Sequence, residues 1–336
     1  MAKYRKGKQT VFFETPPAIV STGTVGGKKE AEGPLAATFD VTNKDTHFGQ
    51  SSWEKAETQI QTLALDAALK KINLRNDDID LIFAGDLLNQ CIGTSFAMRQ
   101  AGIPFLGLYG ACSTMAEALA LAAMTVAGGY ADRAVAMSSS HFASAERQYR
   151  FPLGYGGQRT PTAQWTVTGA GCAVLSAEGD GPRVTAATIG RICDWGITDA
   201  NNMGAAMAPA AVHTIARHLK DVGRKPTDYD LIATGDLGSL GKEVVLDLFR
   251  KEGVELENVY DDCGVMIYDL EKQDVHAGGS GCGCSACVFC GHLYQQLRKK
   301  VYRRILLCGT GALLSPTSTY QGESIPAICH AVSIEI

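Results

Sequence analysis

The chain has 336 residues, of which 46% are hydrophobic and 20% are charged, a composition typical of a soluble globular protein and not of a disordered one. Its formal net charge is −4 and its basic segments are short, so we do not expect nucleic acid as a partner. No stretch approaches the ~20 apolar residues that span a membrane, and no apolar region follows the basic N-terminus as in a signal peptide, which together predict a cytoplasmic protein.

The first predicted elements alternate between helix and strand. Residues 51–74 have apolar side chains at helical spacing, and Ser51 with Glu54 matches a capping box. The apolar run in DIDLIFAGDLLNQ (78–90) ends in Gly-Asp, which predicts a buried strand closed by a tight turn. A Gly-rich turn then leads, at Cys112, into a helix of small residues, and the strand RAVAMSSS follows. Because residues 115–127 are apolar all round, we expect this helix to be buried on every side.

Residues 144–169 are rich in glycine, proline and aromatic residues, which predicts an extended loop over a pocket and an interface between subunits. The second half of the chain then repeats the first. A predicted helix (210–225) precedes the strand of DYDLIATGDLGSL (228–240), and a Gly-rich turn again leads into a helix of small residues (278–297), followed by the strand RRILLCGTG.

This repeat predicts two halves, residues 1–180 carrying Cys112 and residues 181–336. Alternating strands and helices favour parallel sheets covered by helices. With two apolar helices to bury, one from each half, the sequence predicts an α/β protein folded as a duplicated, five-layered αβαβα sandwich with these helices at its centre.

A duplicated arrangement with a cysteine at the start of the first central helix resembles the thiolase superfamily of thiolases, ketoacyl synthases and chalcone synthases. At finer grain the chain resembles the stage V sporulation protein AD family of spore-forming bacteria. The matching motifs extend from the first strand almost to the C-terminus: AGDLLNQ, YGACST, SSSHFASAERQYRFP, GITDANNMGAAMAPAA, YDLIATGDL, DDCG, AGGSGCGCSA and GTGALLSP.

This resemblance implies a thiolase-like fold, a homodimer, and a role in moving dipicolinic acid, as its calcium chelate, into the developing spore. It also implies work beside small membrane proteins of the same sporulation operon, and hence a place at the spore inner membrane through these partners. No cofactor is implied, and calcium enters only as part of the chelate.

Cys112 is a candidate nucleophile, a ligand contact or a small structural residue. A helix N-terminus lowers the pKa of a thiol, but chemistry at cysteine also needs a paired base. The enzymes of the superfamily carry His or Asn where this chain has Gly235 and Asp236, and again where it has Gly281 and Cys282. A carboxylate facing Cys112 would raise the thiol pKa. We therefore expect Cys112 to contact a ligand rather than to attack one. Cys308 resembles the second cysteine of thiolases, but the glycine spacing around it differs, so no catalytic role is expected of it.

Dipicolinate is a dianion, so its site is expected to combine backbone N–H groups with cations. The two Gly-rich turns supply Cys112, Ser113, Gly279 and Ser280. The cationic candidates are His141, Arg147 and Arg150, since arginine binds carboxylates through two parallel hydrogen bonds. The alternative is that the arginines pair with Glu146 or with the other subunit.

Asp86 and Asp236 share the Gly-Asp turn of the repeat. They are expected either to hold backbone amides as Asx turns or to face the calcium of the chelate, and Asp236 is therefore included among the ligand-binding candidates.

The chain has eleven cysteines, an odd number without an export signal, which indicates reduced thiols. Cys282, Cys284, Cys287 and Cys290 resemble a metal cluster, but they lie in a predicted buried helix and are better explained as packing residues. The sequence therefore predicts no metal site.

Two other functions remain open from the sequence. One is an acyltransferase or condensing enzyme that uses Cys112 as acyl nucleophile, although no Lys/Arg cluster suited to coenzyme A phosphates is found. The other is a scaffold that only docks membrane partners.

Overall fold

A computed structural model describes residues 3–149 and 158–336, so Arg150 lies outside the described residues. The strands are β1 (Arg5–Lys6), β2 (Thr10–Phe12), β3 (Ala18–Gly26), β4 (Val41–Thr42), β5 (Leu81–Gly85), β6 (Phe105–Gly107), β7 (Arg133–Ser140), β8 (Trp165–Thr166), β9 (Gly169–Ser176), β10 (Arg183–Thr188), β11 (Leu231–Thr234), β12 (Tyr260–Asp262), β13 (Gly279–Ser280), β14 (Arg304–Ala312) and β15 (Ala327–Glu335). The helices are α1 (Trp53–Lys71), α2 (Ile92–Ala101), α3 (Thr114–Ala127), α4 (Phe142–Tyr149), α5 (Met203–Val222), α6 (Gly238–Lys251), α7 (Cys263–Met266), α8 (Cys282–Cys287), α9 (Tyr294–Arg298) and α10 (Pro316–Tyr320).

The two halves of the chain have the same sheet topology. In the first half the strand order is β6-β5-β7-β9-β3, and in the second it is β12-β11-β14-β15-β10. In both, the three strands at one end are parallel and the remaining neighbours are antiparallel. This agreement shows that the repeat in sequence is a repeat in structure. The predicted boundary between residues 180 and 181 falls in the turn between β9 and β10.

The elements stack in five layers, as the sequence predicts. Helix α1 covers the outer face of the first sheet through β3 and β9, and α5 covers the outer face of the second sheet through β14 and β15. Helix α3 lies between the sheets, where it contacts β5 and β7 on one side and β14 and β15 on the other. Helix α8 packs beside it on β7 and β9. The duplicated αβαβα sandwich is therefore confirmed.

The two central helices differ from the expected pair in detail. Met124 of α3 is 39% exposed, so this helix is not buried on every side. The second helix runs from α8 into α9 through a π-helical turn, Val288–Leu293. Of the helices in the described part of the chain, none is both long and apolar enough to cross a membrane.

Two local predictions are wrong. The N-cap of α1 is Ser52, whose hydroxyl accepts from the Lys55 amide at 3.3 Å, whereas Ser51 accepts only from the Lys55 ammonium. Residues 144–149, expected in an extended loop, belong to α4. This segment contains good helix formers, and α4 is buried over four consecutive residues, Ala143, Ser144, Ala145 and Glu146, so packing on more than one side stabilises the helix.

Candidate functional site

Cys112 stands in the turn that opens α3. A short 3-10 turn, Ala111–Ser113, precedes the helix, and Ala111 has the left-handed φ of 51°. Strand β14 crosses directly over this turn. A Cβ at Gly311 would lie 2.7 Å from the Gly110 carbonyl oxygen, and one at Gly309 would lie 2.6 Å from the Ala116 Cβ. Contacts this close require glycine, so the GTG sequence of β14 fixes how the second half packs against Cys112.

Asp236 is the carboxylate that acts on the Cys112 thiol. It follows β11, is buried, and its carboxylate accepts from the Thr310 hydroxyl and the Gly281 amide, both at 2.9 Å. The charge of this carboxylate also acts on the Cys112 thiol, whose pKa it raises. Burial raises the pKa of Asp236 to about 6, although these hydrogen bonds oppose the rise. Asp236 therefore joins Cys112 to the loop that carries Gly281.

This environment keeps the thiol protonated. Burial raises the pKa of Cys112 well above its ordinary value, and the negative charge of Asp236 raises it further. The Gly281 amide acts in the opposite direction but is the weakest of these influences. A nucleophilic cysteine needs the reverse balance, since the thiolate is the reactive form.

Cys112 forms one wall of a cavity, which we call the Cys112 cavity. The space inside it, counting the part that is open to solvent, is about 470 Å³. Among the described residues its lining consists of Leu87, Ala111, Cys112, Ala145, Glu146, Tyr149, Thr166, Met203, Ser280, Ala312 and Leu314. No Lys, Arg or His belongs to this set, and its polar side chains are a carboxyl, hydroxyls and the thiol.

A pair of tyrosines borders the cavity. The Tyr149 hydroxyl donates to the Leu87 carbonyl and lies 2.7 Å from the Tyr109 hydroxyl. Tyr149 also lines a neighbouring cavity, which shares Ala111 and Leu314 with the Cys112 cavity. Tyr109 contacts Asn89 at 3.1 Å. Sequence reasoning named neither tyrosine as a site residue, although Tyr109 opens the YGACST motif and Tyr149 lies in the SSSHFASAERQYRFP motif.

Gln164 also escaped prediction. Its side-chain amide donates to the carbonyls of Asp236 and Gly279, both at 2.7 Å, and the residue is buried. It thereby holds the two turns of the second half together beside Cys112. Gln164 lies in the segment interpreted as a loop, where nothing in the sequence distinguishes it from its neighbours.

The residues predicted from the two Gly-rich turns do come together. Ser280 lines the Cys112 cavity. Ser113 is buried next to Cys112, but its hydroxyl donates to the Gly110 carbonyl at 2.7 Å. Gly279 offers its carbonyl to Gln164. Of these three, Ser280 is the one whose side chain can meet a ligand.

Of the predicted cations that the structure describes, neither His141 nor Arg147 lines the Cys112 cavity. His141 lines a different cavity; its Nε2 donates to the Thr46 carbonyl at 2.8 Å and its Nδ1 accepts from the Ala143 amide at 3.2 Å. Burial lowers the pKa of His141, so it is neutral at pH 7. Arg147 pairs with Glu54 and lies over the Trp53 ring. Arg147 therefore pairs with a residue of α1 and not with Glu146, whereas a contact between the arginines and another subunit stays a prediction.

The remaining candidates have structural contacts. Asp86 accepts from the Leu88 amide at 2.8 Å, which confirms the Asx turn. Cys308 is buried in β14, and burial raises the pKa of its thiol. Cys282 donates to the Ser139 carbonyl at 2.9 Å. Within residues 3–149 and 158–336, no group of three or more His, Cys, Asp and Glu side chains is arranged to hold a metal ion.

Comparison with known sequences gives a match over almost the whole chain. A family model described as stage V sporulation protein AD matches residues 7–335. Stage V sporulation protein AD of Bacillus subtilis (strain 168) is 50% identical over 329 residues, which is 98% of this chain and 97% of that protein.

Solved structures with the same fold are condensing enzymes and thiolases. Human mitochondrial 3-ketoacyl-CoA thiolase superposes with a TM-score of 0.58 at 13% identity, over 96% of this chain and 99% of that one. The 3-oxoacyl-[acyl-carrier-protein] synthase III of Aquifex aeolicus VF5 gives 0.56 at 13% identity, over 95% and 100%. At these identities the likeness shows the fold alone.

Proposed function

The chain belongs to the stage V sporulation protein AD family and has a thiolase-like fold, and from this premise we propose that it binds dipicolinic acid, or its calcium chelate, and supports uptake of this compound into the developing spore. The binding site in this proposal is the Cys112 cavity.

The contact between Cys112 and Asp236 carries the proposal. The chain has the pocket and the cysteine of a thiolase-like site, but the neighbour of the thiol is a carboxylate. This carboxylate keeps the thiol protonated instead of removing the proton. A pocket of this kind can bind a small molecule without forming a covalent bond to it.

The described walls favour the calcium chelate over the free dianion. They supply hydroxyl groups from Tyr149, Thr166 and Ser280 but no cationic side chain. Burying an unpaired dianion beside Asp236 would be costly, whereas calcium cancels the charge of the ligand before it enters. Arg150, which the sequence predicts as a carboxylate partner, stays a prediction.

Uptake requires a route through a membrane. In this proposal the protein is a peripheral component at the spore inner membrane, held there by small membrane proteins of the same operon, and it needs no cofactor of its own.

Calorimetric titration of dipicolinate, with and without calcium, tests the proposal. We expect saturable binding to the wild-type protein and to Cys112→Ala, tighter with calcium, because the thiol is a wall and not a reactant. Ala145→Trp is expected to abolish binding by filling the cavity, and Cys193→Ala, outside the cavity, is the matched control. Circular dichroism verifies that each variant is folded. Absence of heat with the folded wild-type protein would overturn the proposal.

A further inference from the structure

A buried pair of carboxyl groups lies between α1 and the end of β5. Glu57 of α1 and Asp86 after β5 are both fully buried, and neither lines the Cys112 cavity. Both approach Gly93, because a Cβ built there would lie 3.3 Å from Asp86 Oδ2 and 3.4 Å from Glu57 Cγ. When two carboxyl groups share a buried site, the charge of one opposes ionisation of the other. The pair is therefore expected to keep one proton.

The hydrogen bonds identify Asp86 as the ionised member of the pair. Its carboxylate accepts from two backbone amides, at 2.8 and 2.7 Å, and from the Thr94 hydroxyl at 2.6 Å. Backbone N–H donors stabilise the charged form of a carboxyl group. The hydrogen-bond neighbours of Glu57 among the described residues are instead two hydroxyls, those of Ser139 at 3.0 Å and Ser144 at 2.9 Å. The proton of the pair therefore belongs to Glu57.

Ser144 shows which oxygen of Glu57 carries this proton. Its hydroxyl lies 2.9 Å from Glu57 Oε2 and 3.1 Å from the His141 carbonyl oxygen, and its one proton can serve only one of these two acceptors. A proton on Glu57 Oε2 resolves the conflict, because Glu57 then donates to Ser144 and Ser144 donates to His141. At the other oxygen, Ser139 accepts from the Gln61 amide at 2.7 Å and donates its own proton to Glu57 Oε1.

The surrounding elements bring no charge that offsets the pair. Their other ionisable residues are Cys91 before α2, Cys282 of α8, His141 after β7, and Glu146 and Arg147 of α4. Burial raises the pKa of both thiols and lowers that of His141, so all three are neutral. Glu146 lines the Cys112 cavity, and Arg147 pairs with Glu54. Burial and the charge of Asp86 together raise the pKa of Glu57 to about 8, against the weaker effect of the two serines.

We infer that Glu57 is the binding site of one proton, which ties α1 to the first turn of α4. When this proton leaves, the Ser144 hydroxyl must serve the Glu57 carboxylate and give up the His141 carbonyl, which lies directly before α4. The next residue, Ala145, lines the Cys112 cavity, so release of the proton loosens a wall of that cavity. The proton site stands on its own, and only the expected effect on dipicolinate rests on the proposed function.

Infrared spectroscopy detects the proton directly, because a protonated carboxyl group has a carbonyl stretching band that a carboxylate lacks. We expect the wild-type protein at neutral pH to show one such band that is missing from Glu57→Gln and that disappears above pH ~8. Glu243→Gln, at an exposed position of α6, is the matched control and should keep the band. A band that persists in Glu57→Gln and is lost in Asp86→Asn would place the proton on Asp86 and overturn the inference.

Hydrogen exchange tests the coupling to α4 without any ligand. At neutral pH the amides of α4 should exchange equally slowly in the wild-type protein and in Glu57→Gln, whose amide group can still donate to Ser144. Above pH ~8, with both proteins at the same pH, exchange should be several-fold faster in the wild type, because Gln cannot ionise. Equal exchange at both pH values would show that the proton does not hold α4 and would overturn the inference.

Dipicolinate binding gives a separate result. If the ligand enters the Cys112 cavity and needs protonated Glu57, its apparent dissociation constant should rise about tenfold for each pH unit above the pKa of Glu57. In Glu57→Gln it should stay level over the same range. Equal pH dependence in both proteins would overturn the link to the cavity. Absence of binding to either folded protein would overturn the proposed function, and the infrared and exchange measurements would still decide the proton site.

Discussion

Three influences, which act in opposite directions, set the pKa of the Cys112 thiol. Burial and Asp236 raise the pKa of the thiol, whereas the Gly281 amide lowers it. Among the described residues, no histidine lines the Cys112 cavity. His330 accepts from the Gly190 amide and has a pKa lowered by burial to about 4, and His218 is engaged by Thr188 and Tyr229. Cys112 is therefore held as a neutral thiol.

Replacing Asp236 tests this account. Asp236→Asn removes the negative charge that opposes the thiolate, so the pKa of Cys112 is expected to fall. The rate of alkylation of Cys112 by iodoacetamide should then rise several-fold at pH ~8 and reach half of its maximum at a lower pH than in the wild-type protein. Because eleven cysteines are present, modification is followed on the Cys112 peptide by mass spectrometry.

The control is a buried carboxylate that does not contact Cys112. Asp86→Asn should leave the alkylation profile of Cys112 unchanged, since Asp86 bonds Leu88 and Thr94 instead. Equal profiles for Asp236→Asn and wild type would show that burial alone protects the thiol. A covalent adduct at Cys112 after incubation with acyl-coenzyme A would contradict the view of a neutral thiol and favour the acyltransferase alternative.

At the scale of elements, the crossing of β14 over the start of α3 holds the site together. A Cβ at Gly309 would meet the Ala116 Cβ at 2.6 Å and the Ser113 carbonyl oxygen at 3.0 Å. Neither neighbour can rotate away, because one is a methyl group and the other is backbone. The position of Cys112 thus depends on two elements that are distant in sequence.

We therefore expect Gly309→Ala to lower the free energy of unfolding by about 2 kcal/mol, the usual cost of overpacking a core. The same change should weaken dipicolinate binding, because relief of the clash displaces the turn that carries Cys112. Chemical denaturation and calorimetry measure the two effects. Gly253→Ala, in open space with a φ of 72°, should cost about 1 kcal/mol for its backbone and leave binding intact. Equal losses in both variants, with binding preserved, would show that this crossing does not shape the site.

Elements and site residues differ in how well the sequence predicts them. Strands such as DIDLIFAGDLLNQ are predictable because an apolar run closed by Gly-Asp occurs twice. The expectation that Asp236 faces Cys112 comes instead from the resemblance to the superfamily enzymes, which carry His or Asn at this place. In contrast, His141 and Arg147 do not face Cys112. His141 lies between β7 and α4 and lines another cavity, and the helical turn of α4 directs Arg147 towards α1. That division depends on helical phase within a segment whose composition indicates a loop.

At the scale of the whole molecule, one edge of the first sheet is left open. Strand β6 ends the sheet and pairs with β5 on one side within the described residues. Three large apolar residues near this edge are exposed: Phe96 at 40%, Leu106 at 54% and Tyr109 at 48%. Soluble proteins protect open apolar edges, and pairing with a second copy of the chain is one way to do so. This edge is consistent with the homodimer that the family resemblance implies.

The expected dimer pairs β6 with its symmetry copy, which also places Tyr109, and through it the tyrosine pair beside the Cys112 cavity, at the interface. Size-exclusion chromatography with light scattering should give the wild-type protein twice the mass of one chain. Leu106→Lys places a charge in the centre of the apolar edge and should yield monomers. Val301→Lys, at a position 62% exposed outside this edge, should remain dimeric.

A monomeric wild-type protein at micromolar concentration would refute the dimer, and a dimeric Leu106→Lys would place the interface elsewhere. Leu106→Lys should also bind dipicolinate more weakly than Val301→Lys does if the subunit contact supports the site. The reason is that loss of the interface frees Tyr109. The Tyr109 hydroxyl contacts the Tyr149 hydroxyl, which donates to the Leu87 carbonyl beside the Cys112 cavity.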